Sequence, residues 1–306
     1  MTGAGPVRSV GIIGAGAVGH TVATLLTAAG WCSGLRIASG SDRSAAALLA
    51  DLEDMQQVLG SPVRAEISDV SAMADCDAVV VCPRAKFTNT AARDIRMAGL
   101  AVNAPVIATL GRQLAGYAGT AVVVTNPVDV MTRVFAEASG SGRVFGVGSN
   151  TDTARYRLTL ARLLAVPVES VHGHVIGEHG DAAVVCAAAT RVGGLPAAVP
   201  LRAVHDELSD RPRRINAGVG RARSGPAGAV LAALRAALGL TDAVVELCVN
   251  HGGNWAGMPV RFTSGTPTIT VPDLDPTEGR LLAAATTKLH TAYNTLPRLT
   301  EGDPTQ

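Results

Sequence analysis

The sequence predicts an α/β chain in which a doubly wound parallel sheet is followed by an α+β domain. Three observations predict it. Near-continuous apolar runs alternate with helical stretches through the first half, the pattern of parallel strands covered on both faces. The first of these runs, Val10–Ile13, passes directly into Gly14-Ala15-Gly16-Ala17-Val18-Gly19 and then a helical stretch reaching Ala29. The alternation ends near Gly146, where helix and strand patterns lengthen and lose their regular order. The expected division is a nucleotide-binding domain over 1–146 and a catalytic or substrate domain over 147–306.

Strand, glycine turn and helix in that order make the Gly-x-Gly-x-x-Gly spacing informative, and they identify a Rossmann-type dinucleotide site. Gly14 permits the tight turn, Gly16 lets a pyrophosphate approach the backbone, and Gly19 lets helix and strand pack. Ala17 and Val18 open the helix, whose free N–H groups face the phosphates. The second strand, Gly34–Ala38, ends in Ser39-Gly40-Ser41-Asp42-Arg43-Ser44. A carboxylate at this strand end grips the ribose hydroxyls in NAD sites. Here Ser39 or Gly40 takes that place, hydroxyls stand at Ser39 and Ser41, and Arg43 is near. This loop welcomes a phosphate, so NADP(H) is expected over NAD(H). Asp42 also suits a helix N-cap.

Helical stretches are expected over 45–58 and roughly 90–115, with strands at 64–67, 77–82 and 120–125. Ligands of doubly wound folds sit at the carboxyl ends of strands. Two further loops, after Cys82 and at Asn126-Pro127-Val128-Asp129, should therefore face the cofactor. In the second half, 171–176 reads as one strand, 182–189 as another, and 212–240 as a long helix interrupted at Gly225-Pro226. Strands at 243–249, 258–262 and 268–271 precede a closing helix with Asp275 as cap and Glu278 completing a capping box.

Composition narrows the function classes. A formal net charge of +1 gives no electrostatic case for nucleic acid or an anionic membrane. Five cysteines without a Cys-x-x-Cys pair argue for a reducing compartment and against a disulfide framework. The apolar stretch 10–29 carries glycines and His20 and no small-residue cleavage pattern, so it does not read as a signal core. A cytoplasmic protein is expected.

His179, inside Gly177-Glu178-His179-Gly180-Asp181 at a strand end, is placed for acid/base work near neutral pH. Asp152 and Arg155 share a helix face at i and i+3. They form either a plain salt bridge or a pair in which Asp152 orients His179 and Arg155 clamps a carboxylate. His172, His174 and Glu178 raise a metal reading, but the glycine turn separates His179 from the histidine pair, and no metal site is assigned.

The motifs Gly14-x-Gly16-x-x-Gly19, Thr125-Asn126-Pro127-Val128-Asp129, Asp152-Thr153-Ala154-Arg155 and Gly177–Asp181 together resemble the L-lactate/malate dehydrogenase family. The resemblance covers nearly the whole chain and is densest between 120 and 182. It implies hydride transfer between a nicotinamide and a 2-oxo acid, giving an L-2-hydroxy acid. His179 would protonate the carbonyl, Asp152 would orient it, Arg155 would bind the substrate carboxylate, and Asn126 would stand near the nicotinamide. The loop 39–44 looks like that of the NADP-dependent malate dehydrogenases. The family's assemblies imply a homodimer or homotetramer acting on a small anionic substrate.

The chain also departs from the family. The usual lid pattern of basic residue, Pro, Gly and a following arginine is absent. Counting back from Asn103 selects Arg96 as the carbonyl-polarising arginine, whereas counting forward from Cys82 selects Arg93. The substrate selector becomes Thr90 or Phe87, neither of them usual, and Gly225 replaces a larger residue on the opposite wall. An atypical 2-oxo acid or related carbonyl follows as the substrate. An imine reductase on the same fold and a non-catalytic dinucleotide-binding regulator are the alternative readings.

Overall fold

A computed structural model of the protein describes residues 7–91 and 94–297. The first half runs β1 (Val7–Ile13), α1 (Ala17–Ala29), β2 (Cys32–Ala38), α2 (Asp42–Leu59), β3 (Arg64–Ile67), β4 (Ala78–Val81), α3 (Leu100–Gln113), β5 (Thr120–Val123), α4 (Val128–Ser139) and β6 (Val144–Val147). Its strands lie parallel in the order β3-β2-β1-β4-β5-β6. Val79, Val80, Val81, Val122 and Val123 have no exposed surface, because helices cover both faces of the sheet. The chain leaves β1 for β2 on one side and returns to β4 on the other. This reversal opens a crevice at the carboxyl ends of β1 and β4.

The second half adds α5 (Ser149–Leu164), β7 (Val171–His172), β8 (Val175–Gly177), β9 (Ala183–Val185), β10 (Arg191–Val192), β11 (Leu195–Pro196), α6 (Leu201–Val219), α7 (Ser224–Ala237), β12 (Ala243–His251), β13 (Asn254–Thr263), β14 (Thr266–Ile269) and α8 (Pro276–Asn294). The sheet continues beyond β6 through β12, β13, β8 and β9, all antiparallel pairings. Leu247 and Cys248 of β12 stand opposite Val147 and Gly146 of β6, so one sheet spans both halves. The β12–β13 hairpin turns through Gly252 and Gly253, at φ of 58° and 85°, the positive values a two-residue hairpin loop needs. At α8 the expected capping box is present: Asp275 accepts from Glu278 N, and Glu278 Oε2 accepts from Asp275 N.

Several sequence expectations change. The strand expected over 171–176 is two strands. Val171–His172 joins a small sheet with β10, whereas Val175–Gly177 joins the main sheet. Between them Gly173 lies against Tyr156, where an added Cβ would come within 2.7 Å of the ring. The helix expected from about residue 90 begins only at Leu100. Asn89 diverts the earlier backbone, donating to Ile95 O and accepting from Ala91 N, a local pattern that competes with helix. The long helix of 212–240 breaks at 220–223, not at Gly225-Pro226. Gly220 takes φ 77° there, and Pro226 sits in the first turn of α7, where no donor is lost. Among the described residues no helix is long and apolar enough to cross a membrane.

Candidate active site

The turn after β1 brings three segments together. Gly14 N donates to Ala38 O at the end of β2, and Cys82 N after β4 donates to Ile13 O. Thr125 Oγ1 after β5 donates to Pro83 O at 2.6 Å. The glycine turn, the segment after β4 and the Asn126 loop thus form one rim. Gly19 is obligatory, since an added Cβ would lie 1.8 Å from Gly14 O. An added Cβ at Gly16 would meet nothing within 4 Å. Helix α1 begins here without a side-chain cap, leaving its first N–H groups open to an anion. Beside it lies a cavity of about 340 Å³ lined by Ala15, Gly16, Ala17, His20, Thr21, Thr24 and Arg223. Open backbone, uncapped helix end and one arginine fit the pyrophosphate of a dinucleotide. Arg223 comes from the second half of the chain, within the stretch expected as a long helix, and no motif singles it out.

At the end of β2, Ser39 is half-buried, and Gly40, Ser41 and Arg43 are exposed. The N-cap of α2 is Ser41, not Asp42: Ser41 Oγ accepts from Ser44 N at 3.3 Å. Asp42 instead occupies the first turn, where its charge suits the helix dipole.

The second cluster forms where α5 passes the turn after β8. His179 Nδ1 lies 2.5 Å from Asp152 Oδ2, and Arg155 Nη1 lies 3.1 Å from Asp152 Oδ1. One carboxylate therefore serves both partners, so the Arg155 salt bridge and the His179 contact coexist. The His179 side chain is 11% exposed, so the imidazole is largely shielded from solvent. Its ring packs on Gly148, where an added Cβ would come within 2.5 Å of His179 Cγ. Burial and the nearby Arg96 and Arg155 charges push the imidazole below its ordinary value, against the opposing pull of Asp152. Burial alone would raise Asp152, but His179, Arg96 and Arg155 outweigh it and hold the carboxyl at about 2. The pair is thus a carboxylate beside an imidazole that gains a proton with difficulty.

Arg96 precedes the short helical turn Met97–Gly99 and adds its charge to His179, Asp152 and Arg155. Arg93, the other lid candidate, lies outside the described residues. Arg84 stacks on the Phe87 ring at 4.4 Å, and Phe87 in turn packs against Gly99. Thr90 is exposed. Gly225 is exposed, and an added Cβ there would meet nothing within 4 Å.

Two residues carry more of the site than the sequence indicated. Asp129 is buried and accepts from the main-chain N–H of His179 at 2.7 Å, fixing the turn from behind. Burial, with Glu178 and Asp152 adding to it, pushes its carboxyl up to about 7. Asn103 of α3 donates to Asn126 O at 2.8 Å and accepts from Ala85 N at 2.9 Å, tying the two rim loops together. The Asn126 side chain itself is exposed. The Cys82 thiol, half-buried beneath Gly14, is raised to about 12 by desolvation and is no nucleophile. His174 Nδ1 pairs with Glu246 Oε1 at 2.6 Å, away from His179. No group of three or more His, Cys, Asp or Glu among the described residues could hold a metal.

A glycine turn between β1 and α1 in the parallel half and a buried His179–Asp152–Arg155 cluster in the second half define a Rossmann-type α/β fold with a polar cluster set beside it. The family model described as lactate/malate dehydrogenase, NAD binding domain matches residues 8–146. The L-lactate dehydrogenase of Treponema denticola is 35% identical over 195 residues, 61% of this chain and 59% of that one. L-lactate dehydrogenase 2 of Lactococcus lactis subsp. lactis is 33% identical over 62% of this chain and 60% of its own length. The chain thus spans about 60% of the length of the curated relatives it matches. A malate dehydrogenase structure from Salinibacter ruber superposes with a TM-score of 0.81 at 26% identity, covering 94% of this chain and 97% of that one. The minor L-lactate dehydrogenase of Enterococcus mundtii, at 23% identity, shares the fold with a TM-score of 0.87 over 96% of this chain and 100% of its own. Residues 8–146 thus match the lactate/malate dehydrogenase NAD-binding domain, and nearly the whole chain shares its fold with solved lactate and malate dehydrogenases.

Proposed function

We propose that the protein is an NADP(H)-dependent reductase that converts a 2-oxo acid, or a related carbonyl compound, to an L-2-hydroxy acid. The observation that carries this reading is the shared Asp152 carboxylate, bonded to His179 on one side and Arg155 on the other. Reduced nicotinamide, when bound, supplies the hydride. Arg155 pairs with the substrate carboxylate and sets its orientation. Arg96 stabilises the negative charge that develops on the carbonyl oxygen. His179 donates its proton to that oxygen, and Asp152 keeps the imidazole in the tautomer and orientation for it. Asp129 and Gly148 hold the ring in place. Asn126 stands on the rim facing the cofactor, with its backbone pinned by Asn103.

The uncapped start of α1 at Gly16, Ala17 and Val18, together with Arg223, suits the pyrophosphate. Ser39, Gly40, Ser41 and Arg43 suit a 2′-phosphate, and no carboxylate occupies the end of β2 to repel one. The dinucleotide domain comprises residues 1–146 and the catalytic domain 147–306. Five unpaired cysteines support a cytoplasmic location, and family likeness supports a homodimer or homotetramer.

The test is NADPH oxidation across a panel of 2-oxo acids and imines, run with wild type and His179→Asn. Turnover of a 2-oxo acid should fall by about 10² to 10⁴ in the variant, with NADPH affinity unchanged. NADPH binding without turnover of any compound would favour the regulator instead. Turnover of imines that survives in His179→Asn would favour the imine reductase.

A further inference from the structure

We propose that Lys288 is a positioning residue that latches the segment carrying Arg96 onto the turn carrying His179. The proposal rests on the roles given above to those two residues. Lys288 stands on α8, which otherwise supplies nothing to the site. Its Nζ lies 2.6 Å from Asp94 Oδ2 and 2.8 Å from both carboxylate oxygens of Glu178. Glu178 directly precedes His179, and its side chain is 3% exposed. Asp94 lies two residues before Arg96. A second bond joins the same partners from the other direction: Asp94 N donates to Asp181 Oδ2 at 2.9 Å. Asp94 O in turn accepts from Met97 N at 2.9 Å, so the turn containing Arg96 is closed between two anchored points.

The residue type suits the task. Among 26 basic residues only Lys86 and Lys288 are lysines. A compact ammonium with three donors can serve two carboxylates converging from different directions. A planar guanidinium favours one carboxylate, gripped side-on. Glu178 depends on this partner, because its only other hydrogen bond among the described residues is from Ala182 N. A buried carboxylate deprived of its cation is strongly unfavourable, so the ammonium holds the turn and the Arg96 segment as one unit.

The experiment compares Lys288→Met, Lys288→Arg and Asp94→Asn in the full chain, by hydrogen exchange and by NADPH-linked turnover. In Lys288→Met the amides of Asp94 and Met97 should exchange about tenfold faster, with β1, β4 and β5 unchanged. Turnover number should fall about tenfold or more while NADPH affinity stays within about twofold. Lys288→Arg should recover part of both losses. Asp94→Asn removes the charge from the half-buried side of the latch only; it should speed exchange at Met97 without lowering the melting temperature, and it decides the matter if Lys288→Met does not fold. Unchanged exchange at Asp94 and Met97 overturns the proposal, as does a uniform rise across the chain with loss of stability. Faster local exchange in a protein that turns over no substrate upholds the latch and refutes the proposed reaction instead.

Discussion

The Asp152 carboxylate approaches His179 Nδ1 to 2.5 Å from helix α5, 27 residues away in the chain. That separation makes the pair sensitive to anything that shifts the turn after β8 relative to α5. Gly148, at the N-cap of α5, is the contact on which the imidazole rests.

Gly148→Ala therefore tests the geometry without removing a functional group. The added methyl would lie 2.5 Å from His179 Cγ and must displace the ring from Asp152. Turnover should fall by about 10². NADPH binding, measured by fluorescence titration, should remain close to wild type. A variant of full activity would show that the ring position is not critical.

The pH dependence has a definite sign. Burial and the Arg96 charge lower the imidazole from its ordinary 6.5. Reduction needs the protonated imidazole, so kcat/KM for the 2-oxo acid should decline as pH rises through a value below 6.5. Oxidation should show the mirror-image profile. Arg96→Gln removes one lowering charge and should move the limb to higher pH, alongside a loss of rate. A limb that stays in place would detach Arg96 from His179.

Ser39→Asp places a carboxylate at the end of β2, where it would repel a 2′-phosphate and bond the free ribose hydroxyls. The KM for NADPH should rise about tenfold or more, while that for NADH should fall. Steady-state kinetics with both cofactors check this. Indifference to the substitution would remove the loop from cofactor selection.

Asp129 predicts a stability effect. Its folded carboxyl is raised from 3.8 to about 7, chiefly by burial. Between those values the native state keeps a proton that the unfolded chain has released. The contribution to stability is full below 3.8 and is lost as pH rises through about 7. Asp129→Asn cannot ionise, and its amide oxygen can still accept from His179 N. The difference in melting temperature, variant minus wild type, should grow more positive from pH 5 to 8.5. A difference that does not change with pH would mean Asp129 does not titrate in that range.

Much of this architecture was legible in the chain. Gly14, Gly16 and Gly19 were readable because a fixed spacing meets one local geometry, a strand turning into a helix. The capping box at Asp275 and Glu278 was readable for the same reason. Misreadings arose where local signals competed with distant partners. The apolar run at 171–176 has uniform strand character, yet its two ends pair with different sheets. Gly225-Pro226 is the more conspicuous helix breaker, but proline in a first turn costs no hydrogen bond, so the break fell at Gly220. Ser41 took the cap expected of Asp42, which lies one position too far into the helix.

The candidate site divides along the same line. Residue types at His179, Asp152, Arg155 and Arg96 were set out by motif and count, and each motif lies within a few consecutive residues. Asp129 behind the His179 turn, Arg223 beside the glycine turn and Lys288 between Asp94 and Glu178 are separated from their partners by 50 to more than 100 residues. Local spacing carries no information about such pairs. The sequence by itself determined the glycine turn and the alternating parallel half, because short-range sterics and periodicity specify them. Tertiary structure alone decided which buried carboxylate faces which cation, because those contacts exist only once the antiparallel strands have extended the sheet past β6 and brought α5, the turn after β8 and α8 together.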